Sequence, residues 1–447
     1  MSTDTRHSET ARQLVHMSMG GFALLLRWLV WWQAVVLAAA ALAFNVFVLP
    51  SIAKGLYRPG DHQRPLHGIL LYPLSVLLLL LLFPRHLDIV AAAWGILAIG
   101  DGIATIAGRA IGGPRWAWNR EKTVAGSVAF AVAGGATALF LWIWCRPPLL
   151  TPLPLYLVVF VPIAAAFVAA AVETIPIGLD DNLSVALSAG AVLWFGSLLD
   201  PDMLRNGWTI VLTRLAAAAA ANVAVAFAGY RARTVSLSGA IVGALIGAII
   251  FVATGWRGWL LLLLTFVAAS VASRLGLKRK TLLGIAEERG GRRGAGNAIA
   301  NTGVAAACAI LVLVTPFGAL AALAFVTALA AGGSDTIASE IGKAWGRRTW
   351  SIVSLRQVPP GTSGAMSIEG TVAGIMGAIG LAAVGSLLGL VPITGIVFAV
   401  IGSTAGSLLE SFLGATLEAP GILNNDVLNF INTASAAMVA VALAWTV

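Results

Sequence analysis

The sequence predicts an all-α, polytopic transmembrane protein built from two related halves in direct repeat. Three observations predict it: a scarcity of charge, long unbroken apolar runs, and a set of polar motifs that occurs twice in the same order. The 447-residue chain is 59% hydrophobic and only 11% charged, with a mean hydropathy of +0.91. A soluble domain with so few charges would lack a solvated surface.

The apolar runs set the secondary structure. Residues 69–83, 155–172, 237–251, 260–272 and 304–326 are almost wholly apolar and do not alternate. Only helices and closed barrels satisfy their backbone in lipid, and continuous runs favour helices over strands. At ~20 residues per crossing, the chain accommodates roughly 13–15 spans. The polar start, with Arg6, His7, Arg12 and His16, reads as an uncleaved cytosolic segment, because the apolar stretch after it is too long for a signal-peptide core. Cys145 and Cys308 give neither a disulfide framework nor a metal cluster.

The net charge of +9 is not a nucleic-acid footprint. Its cations fall between apolar runs: Arg115, Arg120 and Lys122; Lys278, Arg279 and Lys280; Arg289, Arg292 and Arg293; Arg347, Arg348 and Arg356. Cationic loops tend to stay cytosolic, which puts the motifs they flank on the side where nucleotides are found. The expected setting is a bacterial cytoplasmic membrane, and a homodimer is compatible with it.

The repeat has three parts. Asp101, Thr105, Gly108 and Arg109 recur as Asp335, Ser339, Gly342 and Lys343 at the same offsets. On a helix those offsets share one face. Thr123, Gly126 and Ser127 recur as Ser367, Gly370 and Thr371. Glu173 with Asp180, Asp181 and Asn182 recurs as Glu410 with Asn424, Asn425, Asp426 and Asn429. Both copies adjoin basic loops, so a direct repeat fits better than the inverted repeats of many transporters. The seam is expected near residue 230, giving halves of 1–230 and 231–447.

Each part suggests chemistry. Ionisable groups within a span are costly and are functional candidates by default. The carboxylates Asp101, Glu173, Asp181, Asp335, Glu340 and Asp426 are hard oxygen ligands suited to a divalent cation such as Mg²⁺ or Mn²⁺, and Glu410 joins them as a catalytic candidate. Arg109, Lys122, Ser339 and Lys343 would face phosphate oxygens. The helix start at Thr123, Gly126 and Ser127 presents free N–H groups suited to phosphate. Gly361, Thr362, Ser363 and Gly364 form a glycine- and hydroxyl-rich loop able to cradle an anion through backbone N–H groups. Gly290, Gly291, Arg292 and Arg293 offer bidentate guanidinium contacts, and Asn182, Asn425 and Asn429 add amides. Simpler readings stand beside these: an ion pair pinning two helices, capped turns, and a loop obeying the positive-inside rule. The GxxxxGK[ST] pattern is missing, which excludes a P-loop nucleotide site. His16 stands four residues after Arg12 and is better placed for a substrate than the other histidines. The tryptophans read mostly as interfacial anchors.

These motifs resemble two related families. Arg12, His16 and Gly20, Asp101 with Gly108 and Arg109, Lys122 to Ser127, and Glu173 with Asp181 and Asn182 resemble the CTP-dependent phytol/dolichol kinase family, itself similar to the integral membrane CDP-diglyceride synthetases. Leu237 to Gly239, Gly290 to Arg293 with Asn297 and Asn301, Gly333 to Thr336 with Ser339 and Glu340, Gly361 to Gly364, and Asn425, Asp426 and Asn429 resemble the family that includes plant phytyl-phosphate kinase. The resemblance implies a fused two-step kinase. The first half would phosphorylate a prenyl alcohol (phytol, geranylgeraniol or farnesol) from CTP with Mg²⁺, and the second would convert the monophosphate to the diphosphate. The sequence departs from the pattern at Gln13, at Ser334, and at Met366, which stands where the first half has Lys122. Two other readings compete: a cytidylyltransferase forming a CDP-lipid, and a non-enzymatic lipid transporter.

Overall fold

The computed structural model describes residues 12–52, 68–147, 153–176, 179–285, 292–418 and 421–446. They form two compact units, Met1–Leu198 and Leu199–Val447. The break between them falls just ahead of the long helix Pro201–Arg231. His7, His62, His67, Arg289, Gly290 and Gly291 lie outside the described residues.

The first unit begins with a helix over 12–27 (α1), whose last turns, Gly20–Arg27, tighten to 3₁₀ geometry. Then come α2 (Trp31–Phe47), α3 (Gly68–Leu82), α4 (Leu87–Ile111), α5 (Val124–Cys145), α6 (Leu155–Thr174) and α7 (Asp181–Ser197). The second unit contains α8 (Pro201–Arg231), α9 (Leu237–Arg274), the short α10 (Leu277–Leu282), α11 (Ala295–Val314) and α12 (Gly318–Trp345). A small antiparallel hairpin follows, β1 (Thr349–Ser351) pairing with β2 (Ala365–Ser367). The chain ends in α13 (Ile368–Leu387), α14 (Ile393–Glu418) and α15 (Asn425–Trp445).

Ten of these elements are long and apolar enough to cross a membrane among the described residues, fewer than the 13–15 spans read from the sequence. Beside these ten, the apolar helices α2 and α3 have 17 and 15 described residues, and α9 consists of two apolar arms joined at Gly255, where φ is 72° and ψ −169°. Its arms, 237–254 and 256–274, fold back on each other. The carbonyl of Arg293 abuts Gly239 on the first arm, and its guanidinium lies 5.8 Å from the Phe266 ring on the second. On a straight helix those two residues would stand ~40 Å apart.

Each unit is organised around one largely buried helix. In α4, 67% of the apolar window is buried, and in α12, 72%, against 11% for α8. A helix that is apolar all round belongs in a core. Small residues let neighbours close in: Ala91, Ala92 and Ala93 in α4, and Ala328, Ala330 and Ala331 in α12, are fully buried. These two core helices carry Asp101 and Asp335, so packing that stabilises each unit also fixes its acid.

The same local arrangement follows in each unit. Thr123 caps α5 by accepting the Gly126 N–H at 3.1 Å, and Ser367 caps α13 by accepting the Gly370 N–H at 3.1 Å. The core helix lies directly against that capped start. A Cβ placed at Gly108 would stand 2.8 Å from Thr123 Oγ1, and one at Gly342 would stand 3.0 Å from Ser367 Oγ. Only glycine permits that approach. The β-hairpin was not expected from the sequence. It arises where β1 and β2 extend either side of a proline- and glycine-bearing loop.

Candidate functional site

In the first unit the acids converge where the core helix meets two helix starts. α4 departs from regular geometry there: Ile96–Asp101 forms a π-turn, a feature frequent at functional sites. Ligand oxygens of Asp101, Glu173 and Asp181 lie within 4.8 Å of one another. The Lys122 ammonium sits among them, 2.6 Å from Glu173 Oε1 and 2.6 Å from Asp181 Oδ2. Burial works against that ammonium, but the two carboxylates outweigh it and raise its pKa above the ordinary lysine value. Lys122 is thus held as a cation, not turned out to solvent.

The surrounding polar groups fix these side chains. Asp180 caps α7, accepting the Asn182 N–H at 3.0 Å and its Nδ2 at 2.7 Å. Asn182 therefore serves the cap and lies against Gly68, while its Oδ1 is buried without a partner. Ser127 Oγ accepts from Trp116 Nε1 at 3.0 Å. Trp118 Nε1 donates to Thr174 Oγ1 at 3.2 Å, and Asn119 Nδ2 to Thr174 O at 3.1 Å. These contacts tie the 114–122 loop to the end of α6, one residue from Glu173. Trp116 and Trp118 stack at 4.8 Å. Their indole N–H bonds depend on residues 11 and 56 positions away, which no local pattern reveals. Arg109 lies exposed at the end of α4 and is not among the three converging acids and Lys122.

His16 approaches the same acid from α1. Its Nε2 is 3.2 Å from Leu97 O and 3.6 Å from Asp101 Oδ2. The shorter contact makes Nε2–H the donor to the carbonyl. Burial pushes the imidazole down to about 4, so His16 is neutral near pH 7. Its edge meets the Tyr72 ring at 4.6 Å.

In the second unit most predicted residues line one polar pocket. Asp335, Ser339 and Lys343 enter from α12, and Glu410 from α14. Asn425 and Asn429 enter from α15, and Arg293 from the turn before α11. Gly361, Thr362, Ser363 and Gly364 close it from the hairpin loop. That loop is pinned hard: at Gly364, with φ +68°, a Cβ would collide with Ser411 O and Ala415 N of α14. Asp335 and Glu410 line the pocket as close neighbours, and Asn432 Nδ2 donates to Glu410 Oε2 at 2.8 Å. Met366, immediately before the capping Ser367, lines the pocket at the position where the first unit places Lys122.

Three predicted residues stand elsewhere. Glu340 is buried outside the pocket lining, paired with Lys280 and, at 3.3 Å, with Lys343. Lys280 is itself buried and donates to Ser273 O at 2.7 Å. That pair fastens α10 to α12, so Lys280 is withdrawn from the exposed cationic loop read from the sequence. Asp426 packs over Gly296 of α11, and Arg292 is exposed beside the neck of the pocket.

The donor chemistry of the first site suits a hard divalent cation. Three carboxylates converge, and an ammonium already stands beside two of them as a cationic counterpart, in keeping with the oxygen ligands such ions require.

The chain is similar to several known membrane proteins. An uncharacterized membrane protein of Synechocystis is 41% identical over 201 residues, 44% of this chain and 78% of that protein. The chloroplastic protein VTE6 of Arabidopsis thaliana is 38% identical over 213 residues, 46% of this chain and 64% of its own length. A chloroplastic Glycine max protein named probable phytol kinase 3 is 32% identical over 195 residues, 40% of this chain and 60% of its own. The chain thus spans less than two thirds of either plant relative. No solved structure matches it significantly. Residues 220–437 match the family described as integral membrane protein DUF92, and with the extent of the cyanobacterial match this shows that the chain belongs to the DUF92 family of integral membrane proteins.

Proposed function

We propose that this protein is a membrane prenol kinase with two active sites. The first unit phosphorylates a prenyl alcohol to its monophosphate, and the second phosphorylates that product to the diphosphate, with CTP as donor at a cytosolic membrane face. The observation that carries the reading is the paired arrangement. Each buried core helix brings an acid, Asp101 or Asp335, to a hydroxyl-capped helix start and a second carboxylate, Glu173 or Glu410. Similarity to a protein named phytol kinase supports the substrate class.

Phosphoryl transfer needs positioning and neutralisation of charge more than covalent chemistry. Lys122 would shift from its carboxylates toward the transferred phosphoryl group. The free N–H groups at the start of α5 would bind phosphate oxygens. Of Glu173 and Asp181, released from the ammonium, the one left off the metal would accept the proton of the attacking hydroxyl. The other, with Asp101, would hold a Mg²⁺ ion that supplies charge neutralisation for the nucleotide phosphates. In the second unit the hairpin loop, Ser339 and Lys343 would bind phosphate. Met366 at the Lys122 position leaves Asp335 and Glu410 facing each other with no lysine between them. That difference suits successive reactions on different acceptors more than one reaction performed twice.

The test is product analysis. Membranes containing the full chain are incubated with Mg²⁺, a prenyl alcohol and CTP labelled either in the γ-phosphate or in the cytosine ring. A kinase moves the γ-label into the lipid, first as monophosphate and then as diphosphate. Transfer of the cytosine label would show a cytidylyltransferase instead, and transfer of neither label would overturn the enzymatic reading.

A further inference from the structure

The polar pocket of the second unit has an apolar neighbour that phosphate chemistry leaves unexplained. Arg293 and Asn297 line both. From this neck an apolar cavity extends between the two arms of α9, flanked by α8 and α11. Its walls are mostly small or apolar, including Ala226 of α8, Gly243 and Ala244 on the first α9 arm, and Leu263 and Phe266 on the second, while the lining Thr265, Asn301 and Thr302 donate to carbonyls of their own helices. At the far end Trp259 Nε1 donates to Asn222 Oδ1 at 3.0 Å, and Asn222 Nδ2 donates to Ala218 O at 2.8 Å. Those deep polar groups are satisfied within the protein and call for no polar ligand. Between Gly239 at the neck and Ile246 near the floor, the helix rises ~10 Å.

Three features select the occupant. The walls offer nothing to a nucleotide, whereas the neck opens into a pocket lined with hydroxyls, amides and Lys343. The guanidinium of Arg293 marks the boundary between the two, where a phosphate would join a hydrocarbon. The helices that form the cavity are themselves candidate spans, and α8 is largely unburied within its unit, so an apolar chain can enter from the bilayer. We propose that this cavity binds the prenyl tail of the lipid monophosphate, and that Arg293 and Asn297 at its neck hold the acceptor phosphate rather than the nucleotide. The inference rests on the second unit being the prenyl-phosphate kinase.

A prenyl monophosphate carrying a diazirine near the tail end, photolysed on the full chain in membranes, tests it independently of turnover. Label is expected on α8 and both α9 arms, near Ala226, Gly243 and Leu263. Unlabelled prenyl monophosphate should displace it, and excess phosphatidylglycerol should not. Gly243→Leu provides the decisive variant, because a Cβ there meets nothing within 4 Å and the side chain would fill the cavity without disturbing its walls. It should reduce labelling by a long-tailed probe at least about tenfold, in line with the discrimination of apolar pockets, and affect a geranyl probe less. Leu263→Trp, from the opposite arm, should do the same should Gly243→Leu fail to accumulate. Label elsewhere, equal displacement by phosphatidylglycerol, or unchanged labelling in both variants would overturn the proposal. Groove labelling without any prenyl diphosphate formed would support the tail site while sinking the kinase reading. Diphosphate formation with the label elsewhere would do the reverse.

Discussion

Among single residues, Lys122 is the most informative. Its ammonium bridges Glu173, which is buried, and Asp181, which is partly exposed. Removing one partner of a buried ion pair leaves a charge uncompensated, at a cost of about 3 kcal/mol. Lys122→Met should therefore lower the chain's unfolding midpoint and abolish monophosphate formation. Lys122→Met with Glu173→Leu should recover much of the stability and none of the activity. Thermal unfolding in detergent together with the product assay would separate the two roles; recovered activity in the double variant would mean that Lys122 is only structural. His16 gives a pH prediction. Its folded pKa, about 4, lies below its unfolded value of 6.5, so its neutral form contributes stability that is full above pH 6.5. That stability falls as pH drops toward 4, by at most about 3 kcal/mol. Unfolding midpoints at pH 7, 5 and 4 should converge between the native chain and His16→Gln as the pH falls. Legibility differed from residue to residue. The three acids could be picked out because charge inside an apolar run is conspicuous. The pairing of Glu340 with Lys280 could not, because the partners are 60 positions apart and meet only once α10 folds beside α12.

Among elements, the capped helix starts were readable and the hairpin was not. A hydroxyl three residues before a glycine, ahead of an apolar run, already suggests a helix N-terminus, and both Thr123 and Ser367 cap as that pattern implies. Each cap is worth about 1 kcal/mol. Ser367→Ala should therefore cost little stability, yet it should impair diphosphate formation if the start of α13 binds phosphate. Unchanged second-step kinetics in that variant would remove α13 from the site. The hairpin has strands of only three residues, too short for periodicity to show, and tertiary contact holds it in place. Gly364 is where that contact is tightest, so Gly364→Val should detach the loop from α14. The expected readout is faster proteolysis between β1 and β2 and a raised KM for nucleotide in the second step. The α9 arms were visible as two apolar runs, but only the backbone at Gly255 shows where the chain turns between them.

At the scale of the whole molecule, each unit has a largely buried central helix that delivers an acid to a capped helix start. The membrane class was legible because composition alone demands it. The division between units was harder to see, since α8 is as apolar as its neighbours and only its packing assigns it to the second unit. The differences between the units carry the functional claim, with a lysine among three acids in the first and a methionine beside two acids in the second. The most direct measurement follows the two steps separately in Asp101→Asn and Asp335→Asn membranes, supplied either with prenyl alcohol or with prenyl monophosphate. Asp101→Asn should lose monophosphate formation by at least about 100-fold while still converting supplied monophosphate to diphosphate. Asp335→Asn should make monophosphate and accumulate it. Loss of both steps in both variants, or of neither step in either, would contradict the account.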